Sequence, residues 1–345
     1  MSEQMKKFSA LFVASTFGLL AACGEPTSEP AEQEPADNNV EAGNNGGGDG
    51  GDDFAPPLSS LESVVGDHPE ENGETLPRLN EKFDIPLPER YVDLVEQQSP
   101  VRSQGRRGVC SIFSTVGLME HLYIKAGDPM PDFSEQYLQW SVKVQVGSFP
   151  NTDGSSGSAN LNAVTRFGIP EEEAWPYEPS GWTTSDDEDC TGDERPTKCY
   201  TNGEPPEQAM EADKFKLPRR EWVSSYTDSL KTYMKKNERA VVSGMSFYYQ
   251  SWSHGGSNLE VNQDNRLAGA VVFPSEADQA DSEERPAGHS ILLVGWDDNK
   301  EFPRLDEEGN PLTDEDGNVI MDKGFFLFKN SWGTDGSWGS ETEFG

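Results

Sequence analysis

The stretch Gln104–Ser114, QGRRGVCSIFS, sets Cys110 immediately before an apolar helical pattern and six residues after a glutamine. Beyond Cys110, Ile112, Phe113, Val116, Met119, Leu122 and Tyr123 recur at the intervals of one helix face, and Gly127-Asp128-Pro129 closes the run. The spacing predicts a helix from Cys110 to about Lys125. A thiol at a helix N-terminus meets free backbone N–H groups and the positive end of the helix dipole, which favour the thiolate. Whether Cys110 is a nucleophile or a small buried side chain turns on whether a base can reach it.

Four histidines are available. His68 lies in a polar approach segment, and His254, in SWSHGGSN, reads as a loop residue. His121 is on the Cys110 helix eleven residues later, roughly 16 Å away along the axis and out of hydrogen-bond reach. His289 opens the apolar run HSILLVGW, and Asn330 ends GFFLFKN. Antiparallel pairing of these runs with Trp296 opposite Gly324 brings His289 close to Asn330, whose amide oxygen can orient one ring nitrogen and leave the other for a thiol. The plainer alternative is a strand-end histidine bonded to backbone, with Asn330 in a turn.

Further helices are expected from Ser134, as N-cap, to about Val146 and over Asn160–Phe167. Beyond a loop-rich section from Trp175 to Pro218, Ala240–Phe247, Gly269–Phe273, His289–Trp296 and Gly324–Trp332 are short β-branched and aromatic runs that read as strands. A helical first half and a β second half make the fold class α+β.

The N-terminal part differs. Lys6 and Lys7 precede an apolar run from Phe8 to Leu20, too short to span a bilayer, so residues 1–22 read as an export signal. Leu20-Ala21-Ala22-Cys23 resembles a bacterial lipobox, which implies lipidation of Cys23 and a membrane anchor; an ordinary cleaved signal is the alternative. Residues 23–82 begin with acidic Pro-, Gly- and Asn-rich sequence that cannot bury enough apolar surface to offset chain entropy, and are expected to form a flexible tether before a domain over 83–345. The formal net charge of −35 argues against nucleic-acid binding through a basic surface. Cys190 and Cys199 bracket a polar loop and are expected to pair, with two free thiols as the alternative; no histidine or further cysteine close by supports zinc. In Leu305–Gly324, LDEEGNPLTDEDGNVIMDKG, two Gly-Asn turns suggest an added β-hairpin. Calcium is the sharper reading of this insert, but EF-hand spacing is not met.

SPVRSQGRRGVCSIFSTVGLMEH, FSEQYLQW, DGSSGSANLNAVTRFGIPEEEAWPY, GHSILLVGW and FKNSWGTDGSWG resemble, in the same order, segments of the papain-like cysteine proteases. The resemblance implies a two-lobed fold, with a helical first lobe carrying the cysteine helix and an antiparallel β second lobe carrying His289 and Asn330. It implies Cys110 as nucleophile, His289 as base, Asn330 as its orienter, Gln104 in the oxyanion hole, and Trp332 over the Asn330 contact. Gly154 and Ser155 fall where the family uses two glycines to bond the substrate backbone. Arg107 stands where many members have a structural cysteine, Ser111 replaces the usual tryptophan, and Ser155 replaces a glycine. The two arginines could favour the thiolate or be solvated loop charges. No helical prodomain of the family's usual kind is expected between Cys23 and Phe83, and the sequence stops where members continue into a closing strand, so it reads as a fragment or as lacking that strand.

The expected function is a membrane-tethered cysteine peptidase, exported and lipid-anchored through Cys23 at a bacterial membrane on its periplasmic or surface face. It is expected to act on peptide or protein substrates as a monomer, with no cofactor or metal. The alternatives are a catalytically silent peptide-binding module and a Cys-His-Asn acyltransferase or peptide ligase.

Overall fold

The computed structural model describes Leu58, Ser59, Arg78, Leu79 and residues 85–344 apart from positions 129, 193 and 335. The expected export signal, Cys23, the tether up to residue 57 and His68 lie outside the described residues.

Strand β1 (Arg78–Leu79) pairs in parallel with β3 (Trp222–Val223), and β2 (Arg90–Tyr91) joins the main sheet. Helix α1 spans Cys110–Lys125, where the apolar periodicity places it. Helix α2 (Glu135–Trp140) starts at Ser134, whose Oγ accepts the Tyr137 N–H at 3.0 Å, and runs on into a π-turn at Ser141–Gln145. Helix α3 (Gly157–Arg166) begins three residues earlier than expected, because Ser156 caps it by accepting the Ala159 N–H at 3.2 Å. Short helices α4 (Thr197–Thr201) and α5 (Glu207–Glu211) punctuate the loop-rich section. Helices α6 (Thr227–Asn237), α7 (Gln263–Ala268) and α8 (Glu276–Glu284) follow, interleaved with strand β4 (Val241–Ser246). The long β5 (Gly288–Pro303) and β6 (Met321–Lys329) complete the order.

The sheet is built around β5. Antiparallel β4 pairs with its first half, Met245 opposite His289, and β2 pairs further along, Tyr91 opposite Trp296; β6 takes the other edge. One register differs from expectation, since Trp296 lies opposite Phe326 and not Gly324. Of this two-residue offset, one residue enters at an irregularity between Leu293 and Gly295, where a Cβ on Gly295 would come within 2.3 Å of the Tyr91 carbonyl oxygen. Gly269–Phe273 is also not a strand. Gly269 ends α7, and the segment's N–H groups are taken by the Ser251 carbonyl (from Val272, 3.3 Å) and by Asp322 Oδ2 (from Phe273, 2.7 Å), not by a neighbouring strand.

Two apolar clusters define the lobes. Ile112, Val116 and Met119 of α1 pack with Leu138, Val164 and Ile169, and Ile291–Val294 pack with Met245, Phe247, Trp252 and Trp296. Burial, at roughly 1.5–3 kcal/mol for each large apolar side chain, makes these clusters the main favourable contribution within each lobe. Helix α1 is the seam: Leu118 packs against the sheet cluster, and a Cβ on Gly117 would sit 3.5 Å from Leu292. The insert closes two tight turns, bridging Leu305 to Pro311 and Thr313 to Val319. Asp306 and Asp314 each accept two or more backbone N–H groups of their own turn. Among the described residues, no group of three or more His, Cys, Asp or Glu is placed to hold a metal ion, and no helix is long and apolar enough to cross a membrane.

Candidate active site

Cys110 is the first residue of α1 and is fully buried. One turn further on, Ser114 Oγ lies 2.8 Å from Ser290 Oγ, so the start of α1 faces the start of β5. His289 Nε2 lies 2.8 Å from Asn330 Oδ1, which puts the ring proton on Nε2 as donor. His289 Nδ1 is buried and has no hydrogen-bond partner. Trp332 lies over the imidazole with ring centroids 4.9 Å apart, and Trp252 meets it edge-on at 5.2 Å.

Gln104 is fastened to the turn that carries Asn330. Its N–H donates to the Ser331 carbonyl at 2.8 Å, and Ser331 Oγ donates to Gln104 Oε1 at 2.6 Å. With Oε1 occupied, the amide nitrogen is turned the other way, donating to the Arg107 carbonyl at 2.8 Å. Gly105 has φ 61° and no room for a side chain, since a Cβ there would lie 2.5 Å from Pro179. Ser331 was not foreseen, although its place beside Asn330 is a signal once the pairing is known.

Arg106 is exposed, but Arg107 is fully buried, which rules out the reading of both as solvated loop charges. The Arg107 guanidinium donates to Gln136 Oε1 (3.1 Å), the carbonyls of Glu178 (3.3 Å) and Tyr200 (2.7 Å), and Asp153 Oδ1 (3.3 Å). It thereby ties the loop before Cys110 to the Asp153–Ser155 stretch and to Tyr200. Cys190 and Cys199, beside Tyr200, are joined in a disulfide, and Cys110 is the free cysteine among the described residues. Gly154 and Ser155 are buried, and Ser155 Oγ lies 2.9 Å from Ser111 Oγ, next to the nucleophile position.

His121 and His254 have other surroundings. The Ala240 N–H donates to His121 Nε2, leaving Nδ1–H for the Gln97 carbonyl, so backbone absorbs both nitrogens. His254 is a loop residue, as expected, and is buried, 5.9 Å between centroids from Trp332, with Nδ1 accepting the Gly256 N–H.

The least expected neighbour of the thiol comes from the segment read as tether. Ser59 is buried, its N–H donates to the Gly288 carbonyl at 3.2 Å, and its carbonyl accepts the Gly288 N–H at 2.8 Å. Its Oγ donates to the Gly108 carbonyl and lies 3.4 Å from Cys110 Sγ. At these two residues the chain is therefore laid across the cleft. Reading residues 23–82 as tether passes over the apolar residues Phe54, Leu58, Leu61, Val64 and Val65 that cluster around this point.

Charge follows from this closure. Burial pushes the Cys110 thiol up, opposed by hydrogen bonds from Ser59 and the Ser290 backbone, so the expected helix-terminus lowering is overridden. Burial also pulls His289 down to about 4, against the Asn330 hydrogen bond. Both groups are uncharged at neutral pH in this closed arrangement.

Residues 87–342 match the papain family of cysteine proteases. Among solved structures, xylellain, a cysteine protease from Xylella fastidiosa, aligns at 19% identity over 84% of this chain and 88% of its own, with TM-score 0.48. Procathepsin B S9 from Trypanosoma congolense aligns at 12% identity over 84% and 79%, with TM-score 0.49. Digestive procathepsin L 3 of the Tenebrio molitor larval midgut aligns at 19% identity over 78% and 66%, with TM-score 0.44. No curated protein matches the chain in sequence. The chain belongs to the papain family of cysteine proteases and is a cysteine-type peptidase of α+β fold.

Proposed function

We propose that the chain is a membrane-tethered cysteine peptidase in which Cys110 is the nucleophile and His289 the general base and acid. The observation that carries this reading is the buried His289 imidazole, bonded to Asn330 through Nε2 and left with a free Nδ1, on a strand whose neighbours Gly288 and Ser290 both touch the surroundings of Cys110. Nδ1 takes the thiol proton as Sγ attacks the peptide carbonyl carbon. The oxyanion is met by the Cys110 N–H and the Gln104 side-chain amide. Collapse expels the amine, which receives the proton from imidazolium, and a water deprotonated by His289 then hydrolyses the thioester.

The closed arrangement is latent on this reading. Substrate needs the space that Leu58–Ser59 fills, and the Ser59 carbonyl is held by Gly288 N–H, away from the oxyanion donors, so the segment blocks without presenting a scissile carbonyl. Its departure admits water and substrate and lifts the burial that keeps thiol and imidazole neutral. Cys23 is the anchor, exported and lipidated at the outer membrane on its periplasmic or surface face, with the catalytic domain monomeric. The lipobox-like sequence supports this, and loss of acyl labelling in Cys23→Ser is the check.

The test is the pH–rate profile of peptide cleavage by wild type, Cys110→Ala and His289→Ala. The expected result is a bell whose rate collapses by roughly 10³-fold or more in either variant. Cleavage by Cys110→Ala at the wild-type rate sinks the proposal.

A further inference from the structure

The stretch Asp153–Gly154 lies along the same cleft: a Cβ placed on Gly108 would meet the Leu58 carbonyl oxygen at 3.2 Å and Asp153 Cβ at 3.7 Å. What holds this stretch is a buried lysine. Lys143 is 3% exposed, and its Nζ donates to the carbonyls of Phe149 (3.2 Å), Asp153 (3.3 Å) and Gly154 (3.2 Å). An ammonium has three protons and no lone pair, so donors and acceptors match one to one.

Two features of the backbone belong to this arrangement. Lys143 sits in the π-turn Ser141–Gln145, a rare insertion that changes where a helical side chain points. Phe149 has φ 54°, a left-handed conformation that costs a non-glycine residue on the order of 1 kcal/mol and brings the loop back over the lysine. Gln139 Nε2 adds a bond to the Asp153 carbonyl at 2.9 Å, and Arg107 holds the Asp153 carboxylate at 3.3 Å.

We propose that Lys143 is a positioning residue for substrate binding, its three hydrogen bonds fixing the Asp153–Gly154 backbone against which an extended peptide is laid. This rests on the reading of Gly154 as part of the substrate strip. The charged groups facing Lys143 are Arg107, from the loop before α1, and Asp153, from the strip itself. Burial pulls the ammonium down to about 7, with Asp153 opposing and Arg107 adding to the fall. Above that pH the neutral amine keeps two donors and turns a lone pair toward the third carbonyl, so the strip loses one anchor without unfolding.

The experiment measures affinity of an extended peptide amide for full-length Cys110→Ala protein at about pH 6 and about pH 8, with and without Lys143→Met. The parent is expected to bind more weakly at the higher pH, on the order of threefold or more, and Lys143→Met to bind weakly and equally at both. Hydrogen exchange of the 149–155 amides, corrected for intrinsic rate, is expected to quicken in the parent over the same interval, which keeps the test decisive if Lys143→Met fails to fold. Parent affinity or exchange independent of pH, or Lys143→Met binding as tightly as the parent at the lower pH, overturns the proposal. Turnover by the protein with Cys110 intact is measured separately; its absence alongside normal pH-dependent binding sinks the peptidase mechanism and leaves the positioning role standing.

Discussion

Single side chains set the geometry on which the chemistry depends. Gln104 is oriented by Ser331, which occupies Oε1 and so turns the amide N–H groups toward the nucleophile loop. Gln104→Ala is expected to lower kcat by roughly 10²–10³-fold, the cost of one oxyanion donor, while Cys110 still alkylates. Arg107 has a different task, since its buried guanidinium bonds four acceptors on four separate segments, helices α2 and α4 among them. Arg107→Met leaves the Asp153 charge without its partner, and thermal unfolding should show a loss on the order of 3–5 kcal/mol. The buried position of Arg107 was not legible in the sequence. An arginine among Gly105, Arg106 and Gly108 has the composition of a solvated loop, and only the acceptors contributed by distant Gln136, Glu178 and Tyr200 take it inside.

At the scale of elements, the site is the meeting of one helix start with one strand start. Both were legible: the apolar periodicity after Cys110 fixes α1, and the runs beginning at His289 and ending in Asn330 read as strands whose antiparallel pairing brings those two residues together. The register between those strands was not, because it shifts at Leu293–Gly295, where the chain passes close to Tyr91, far away in the sequence. Helices α6 and α8 carry little sequence signal. Helix α8 is mostly polar, and α6 shows only Leu230 and Met234 to the core. The pairing of Ser59 with β5 depends on two backbone hydrogen bonds, and no side-chain pattern announces it. Ser59→Pro removes the N–H that donates to Gly288, so iodoacetamide should alkylate Cys110 on the order of fivefold faster in this variant. An unchanged labelling rate would show that the segment does not limit access to the thiol.

At the scale of the whole molecule, the lobes meet over buried charge. A small cavity of about 20 Å³ between them is lined by Arg102, Glu120, Glu135, Lys329 and Asn330. Lys329, next to Asn330, donates to the Ser99 carbonyl and Oγ at 2.8 Å, and Ser99 Oγ donates in turn to Glu120. Burial pushes Glu135 well above the usual carboxylate range, and it pushes Glu172 up to about 7. A carboxyl whose folded value lies above its unfolded one binds more protons when folded, so its contribution is complete below the unfolded value and is lost as pH rises toward 7. The Glu172 contribution to thermal stability should therefore fall between about pH 5 and about pH 7, against a rise from His289, whose lowered value has the opposite sign, and Glu172→Gln should remove the falling part. A Glu172→Gln curve parallel to wild type would assign the dependence to other groups. The central claim is that Cys110 is acylated with His289 as its base, and the most direct measurement is the intact mass of protein acid-quenched during turnover of a peptide ester. The account predicts an acyl adduct on Cys110 in the wild type and none in His289→Ala; unmodified Cys110 during active turnover would contradict it.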